Sequence, residues 1–137
     1  MDKLHVAVLM GGWSAEREVS LMSGSGVADA LESLGHRVTR IDMGHDVAQR
    51  LREAAPDVVF NALHGTPGED GSVQGMMDLM ELRYTHSGLA TSVIAIDKEL
   101  TKMVLVPHGI RIPRGTSTIL VSSLSIAITE VSTPLWV

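Results

Sequence analysis

Cysteine is absent from all 137 residues. That excludes disulfides, thiolate metal sites and cysteine nucleophiles, and it fits a reducing compartment. Aromatic residues are scarce at 3%: two Trp, one Tyr and one Phe. Hydrophobic residues still reach 45%, so a core can form, built from Val, Leu, Ile, Ala and Met, and a disordered chain is excluded. Basic residues are outnumbered 11 to 16, for a net charge of -5. The chain therefore lacks the basic stripe of a nucleic-acid binder and the polybasic block that seeks anionic membranes. The leading apolar run, Val6 to Met10, is too short for a signal sequence or a membrane span. The expectation is a cytoplasmic protein of one domain and the start of a second, with neither nucleic acid nor membrane as partner.

What is present alternates between two periods. Leu4 to Met10 is apolar on both faces and predicts a buried strand ending at Gly11-Gly12. From Glu18 to Leu34 the apolar positions Val19, Met22, Gly26, Ala30 and Leu34 recur at spacings of 3, 4, 4 and 4, predicting a helix with Gly35 as its stop. Arg37–Asp42 predicts a second strand, Val47–Ala54 a short helix and Asp57–Leu63 a third buried strand. The run HGTPGEDGSVQG (64–75) begins as a loop, after which Met76, Met77, Met80 and Leu82 predict a helix with the methionines as core filler. Tyr84–Thr85 is a short strand and 98–107 another helix. This alternation predicts a parallel α/β sheet flanked by helices. The polar loops 11–18 and 64–72 both follow strands, at the edge where such sheets bind ligands. Residues 117–137 differ: Ser, Thr, Ile, Val and Leu dominate, one residue is charged, and β-propensity makes the stretch an aggregation site if left unpaired.

Each loop admits two readings. Gly11-Gly12 permits a sharp strand exit and close ligand approach, and the helix start beyond it suits an anion. The same residues also make an ordinary tight turn with Ser14 as cap. Neither the dinucleotide nor the P-loop fingerprint is present. His64 stands where it can touch a substrate or merely anchor its loop. Glu69 and Asp70 suggest a metal ligand pair or common turn residues. Asp42, at a strand end, occupies a ribose-binding position, but without the glycine fingerprint. Lys98 and Lys102, four apart on one helix face, reach phosphates or face solvent. The six His show no metal spacing, so no zinc site is expected.

Four strings, in order, carry a resemblance: MGGWSAEREVSLMSG (10–24), FNALHGTPGEDGSVQGMMDL (60–79), YTHSG (84–88) and DKELTKMVLVPHGIRIP (97–113). Together they resemble the amino-terminal portion of D-alanine–D-alanine ligases, of the ATP-grasp superfamily, over about residues 3–116. The resemblance implies a Rossmann-like, pre-ATP-grasp parallel sheet. It divides the chain into a substrate domain at 1–96, the start of the central ATP-grasp domain at 97–116, and a divergent tail at 117–137. It implies that Glu16 holds the ammonium of the first D-alanine and that His64 lies beside it. Gly11 and Gly12 bring backbone near the reacting carboxylate, Val19 and Ser20 line or support the substrate pocket, and Lys98 contacts ATP.

The implied activity joins two D-alanines through an acyl phosphate, as a step in peptidoglycan precursor synthesis, with ATP and Mg2+. No metal ligand of the family pattern falls within this chain. Family members are commonly dimers, so a homodimer is among the expectations. After RIPRGT the likeness stops, and most of the ATP-grasp machinery has no counterpart. The expectation is a truncated or frame-shifted chain, inactive alone. Alternatives are a non-catalytic module binding D-alanine or a nucleotide, a non-functional remnant, or, within the same class, a D-alanine–D-lactate ligase.

Overall fold

A computed structural model describes residues 3–113, so the readings of 117–137 lie outside the described residues. The described residues fall into two units that part after Thr101. Everything that bears on the candidate site lies in the first.

Its elements are β1 (His5–Met10), α1 (Arg17–Ser33), β2 (Arg37–Asp42), α2 (Val47–Ala54), β3 (Val58–Asn61), α3 (Ser72–Leu79), β4 (Tyr84–Thr85) and α4 (Leu89–Ile96). The next helix, α5 (Lys98–Leu105), crosses the boundary between units. Asp97 accepts the backbone N–H groups of Glu99 at 2.8 Å and Leu100 at 3.1 Å, which caps its start. All strand pairings are parallel, in the order β2-β1-β3-β4. The Rossmann-like α/β expectation therefore holds.

The order carries a functional consequence. From β1 the chain steps to one side, into β2; from β2 it crosses back over β1 into β3 and then β4. Right-handed crossovers in opposite directions must put their helices on opposite faces. The two hydrophobic clusters show this division. Ala7 and Leu9 pack with Val47 and Leu51 of α2 and Val73 and Met77 of α3. Val6, Val8 and Met10 pack with Ala28, Leu21, Val27 and Leu31 of α1. Successive side chains of β1 point to opposite faces, and all six residues are buried. The reversal of winding between β1 and β3 opens a crevice at their carboxyl ends, the switch point where ligands bind in such sheets.

Helix α1 ends as foreseen. Gly35 adopts φ +84°. Its N–H bonds to the Glu32 carbonyl at 2.8 Å and that of His36 to Leu31 at 3.1 Å, the paired contacts of a Schellman stop. Its buried face is not the foreseen one. Val19, Met22, Gly26, Ala30 and Leu34 are exposed, while Ser20, Gly24 and Ala28 are buried. The reason is steric: small residues every fourth position let the helix seat directly on β1. A Cβ added to Gly24 would lie 2.5 Å from the Met10 Cβ.

Helix α4 was not foreseen. LATSVIAI is apolar almost throughout, so it shows no amphipathic period, and Ser92 is its one fully buried residue. Among the described residues, no helix is long and apolar enough to cross a membrane.

Candidate functional site

The site grows from the exits of β1 and β3. After Met10 the backbone turns at Gly11 (φ +76°) and Gly12 (φ +79°), in the left-handed region that glycine enters without strain. At Gly11 a Cβ would also collide with the Asp42 carboxylate and lie 2.7 Å from the Arg17 guanidinium. Ser20, fully buried one turn into α1, accepts the Gly11 N–H at 2.9 Å and donates to the Ala62 carbonyl at 2.7 Å. One hydroxyl thus ties the exits of the two strands that flank the crevice.

Arg17 closes the first loop from the other side. It donates to the Gly12 carbonyl at 2.9 Å and, with both terminal nitrogens, to Asp42 at 2.7 and 2.6 Å. The hydrogen bonds from Arg17 hold the Asp42 carboxyl below its ordinary range, and Asp42 in turn raises the guanidinium. Asp42 is therefore a clamp on the first loop, with both its oxygens engaged by Arg17.

The second loop is held on itself. Glu69 accepts the Gly65 N–H at 2.8 Å and returns its own N–H to the Gly65 carbonyl at 2.9 Å. Asp70 accepts the Ser72 N–H at 2.9 Å. Burial works against its ionised form, but hydrogen bonds from Ser72 and Thr66 prevail and hold its carboxyl low. Asn61 and Gln74 both donate to the Gly68 carbonyl, at 2.9 and 2.7 Å. Glu69 and Asp70 thus do turn work. Among the described residues no group of three or more His, Asp or Glu is arranged to hold a metal ion.

The two loops meet through Ser14. Its hydroxyl donates to the His64 carbonyl at 2.7 Å and accepts the Glu16 N–H at 3.1 Å. Ser14 is a bridge, not the helix cap foreseen; Glu16 occupies the cap position. A Cβ on Gly65 would lie 3.0 Å from a Glu16 carboxylate oxygen, so that carboxylate rests against the backbone of the residue next to His64. The half-buried His64 places Nε2 at 3.3 Å from the Ser23 hydroxyl.

The structure therefore brings Glu16, His64, Gly11, Gly12 and Ser20 to one sheet edge. Val19, 47% exposed, sits on the first turn of α1. Lys98 is exposed at the start of α5, and among the described residues no hydrogen bond joins it to either loop. Sequence reasoning missed the parts played by Ser14, Arg17 and Ser23. Their partners lie between 5 and 50 positions away, and only Ser20 and Ser23, three apart on one helix, hinted at a polar seam.

Comparison with known proteins meets this geometry. Residues 44–87 match the family described as D-ala D-ala ligase N-terminus. The D-alanine–D-alanine ligase of Rhizorhabdus wittichii is 84% identical over 112 residues, which cover 82% of this chain and 36% of that protein. That of Sphingopyxis alaskensis is 83% identical over the same shares. The chain thus spans little more than a third of the length of these curated relatives. Among solved structures, the Bacillus anthracis D-alanine–D-alanine ligase complexed with ATP aligns with a TM-score of 0.73 at 28% identity, over 90% of this chain and 44% of that one. A second structure of the Bacillus anthracis ligase gives 0.70 at 34% identity, over 80% and 36%. In its parallel sheet, its two joined loops and this degree of identity, the chain is similar to the amino-terminal part of D-alanine–D-alanine ligases.

Proposed function

We propose that this chain forms the wall that holds the first D-alanine in an ATP-dependent D-alanine–D-alanine ligase, an enzyme of peptidoglycan precursor synthesis in the cytoplasm. The observation that carries the reading is the meeting of Glu16 with the His64–Gly65 backbone across the crevice between β1 and β3. In this reading the Glu16 carboxylate accepts hydrogen bonds from the substrate ammonium, and His64 sits at the same lip. Gly11 and Gly12 let the substrate carboxylate approach backbone, Val19 borders the methyl group, and Ser20 supports the wall from behind. Holding the ammonium at a fixed point sets handedness, because the methyl and carboxylate of the L-enantiomer then fall in exchanged places.

Lys98 is the residue of this chain proposed to meet ATP, and residues 97–116 are proposed to open the ATP-grasp domain. Magnesium, and a second copy of the chain in a homodimer, belong to the whole enzyme in this reading.

Binding is the informative assay. Calorimetric titration of the chain should give heat with D-alanine and none with L-alanine. A charge-assisted hydrogen bond contributes about 1.5–3 kcal/mol, so Glu16→Gln should weaken D-alanine roughly ten- to hundredfold. Equal binding of both enantiomers, or full affinity in Glu16→Gln, would overturn the reading. A separate titration with ATP and its Lys98→Ala variant tests the nucleotide contact.

A further inference from the structure

A neutral imidazole carries one N–H and one lone pair, and the partner of either nitrogen decides which is which. At His64 that partner is Ser23, whose Oγ lies 3.3 Å from Nε2. The Ser23 hydroxyl has a single hydrogen. It lies 2.8 Å from the Val19 carbonyl and 3.3 Å from the Ser20 carbonyl, the usual back-bond of a serine within a helix. Carbonyl oxygens only accept, so the hydrogen goes to them, and Ser23 meets the imidazole with a lone pair. Nε2 must then carry the proton. Among the described residues His64 Nδ1 has no hydrogen-bond partner.

We infer that Ser23 is a positioning residue: it locks neutral His64 as the Nε2–H tautomer and leaves Nδ1 as a hydrogen-bond acceptor. The Glu16 carboxylate, which rests against the backbone of the next residue, Gly65, also only accepts, so the lip offers two acceptors. Such a pair suits the three N–H groups of an ammonium and disfavours a carboxylate in the same place. The second part rests on the function proposed above; the tautomer does not.

The test uses the full chain with 15N-labelled histidine and reads the ring nitrogens of His64 by long-range proton–nitrogen correlation, above the imidazole titration and without D-alanine. The expected pattern is a pyrrole-type Nε2 and a pyridine-type Nδ1. Ser23→Ala should move both shifts toward the averaged values of a free imidazole that exchanges between tautomers. Ser23→Thr, which keeps the hydroxyl and its back-bond, should restore the wild-type pattern. A protonated Nδ1 in the wild type, or shifts unchanged in a folded Ser23→Ala, would overturn the inference. Should Ser23→Ala not fold, the wild-type and Ser23→Thr patterns decide alone. D-alanine affinity is read separately. If half the molecules hold the wrong tautomer, affinity falls about twofold, and Ser23→Thr should recover it. A locked tautomer in a chain that ignores D-alanine would sink the proposed function and leave the role of Ser23 standing.

Discussion

Helix α1 holds two glycines two positions apart, and replacing each by alanine should have opposite effects. In a helix interior, Gly→Ala gains about 0.8–1.0 kcal/mol from backbone entropy. At Gly26 nothing lies within 4 Å of the added Cβ, so Gly26→Ala should keep that gain. At Gly24 the new Cβ would stand 2.5 Å from the Met10 Cβ and 3.2 Å from its Cε. The Met10 Cβ belongs to the central strand and cannot swing aside as a side-chain tip can. Overpacking of this kind costs about 1–3 kcal/mol. The propensity term cancels between the two variants, so their difference in stability isolates the packing cost. A 1 kcal/mol change moves the melting temperature of a domain this size by roughly 4–8 °C. Thermal unfolding followed by circular dichroism should therefore place Gly26→Ala above the wild type and Gly24→Ala lower than Gly26→Ala by at least about 5 °C. Equal shifts for the two variants would refute the close seating of α1 on β1.

Three further expectations follow from the hydrogen bonds. Ser20→Ala leaves the buried Gly11 N–H and Ala62 carbonyl without their partner and should cost about 2 kcal/mol, measured by urea denaturation. Burial, then the hydrogen bond to Asp78 at 2.8 Å, push the Tyr84 phenol up to about 12. Neutral Tyr84 thus favours the fold fully below the ordinary phenol range, and the contribution fades as pH rises through about 12. Because the chain has one Tyr, phenolate absorbance reads it directly, and Asp78→Asn should bring the midpoint down; a wild-type midpoint near 10 in a folded chain would contradict this. Arg17 keeps the Asp42 carboxyl low, so its contribution to stability is present above the ordinary carboxylate range and lost as pH falls through the lowered value. Asp42→Asn should flatten the acid limb of the stability profile, and added salt should do the same in part.

Strand β1 was legible because Val6–Met10 is an unbroken apolar run buried on both faces, and β2, largely exposed, because its polar and apolar residues alternate. Arg37–Asp42 and Val47–Ala54 were read with the bounds the structure has. The orientation of α1 was not legible. A reading weighted by hydrophobicity favours Val19, Met22 and Leu34, whereas close approach favours Ser20, Gly24 and Ala28, which carry little hydrophobic signal. Helix α4 escaped because an almost uniformly apolar segment has no period to detect. At the candidate site, the placing of Glu16 and His64 on strand-following loops could be read from the chain alternation. The Ser14 bridge and the Arg17–Asp42 clamp could not, since such contacts are set by strand order, and order is invisible until the sheet assembles.

The same helix that presents Glu16 at its tip rests its middle on Met10 through Gly24. Eight residues at about 1.5 Å each separate those points by roughly 12 Å. A change of side-chain volume at Met10, which touches no ligand in the proposed reading, would lift or tilt that rod on the sheet and carry the carboxylate with it. Variation in the core of this protein is therefore also a tuning screw for what its crevice admits, and laboratory selection for altered amino-acid preference should recover substitutions at Met10 as readily as at the rim.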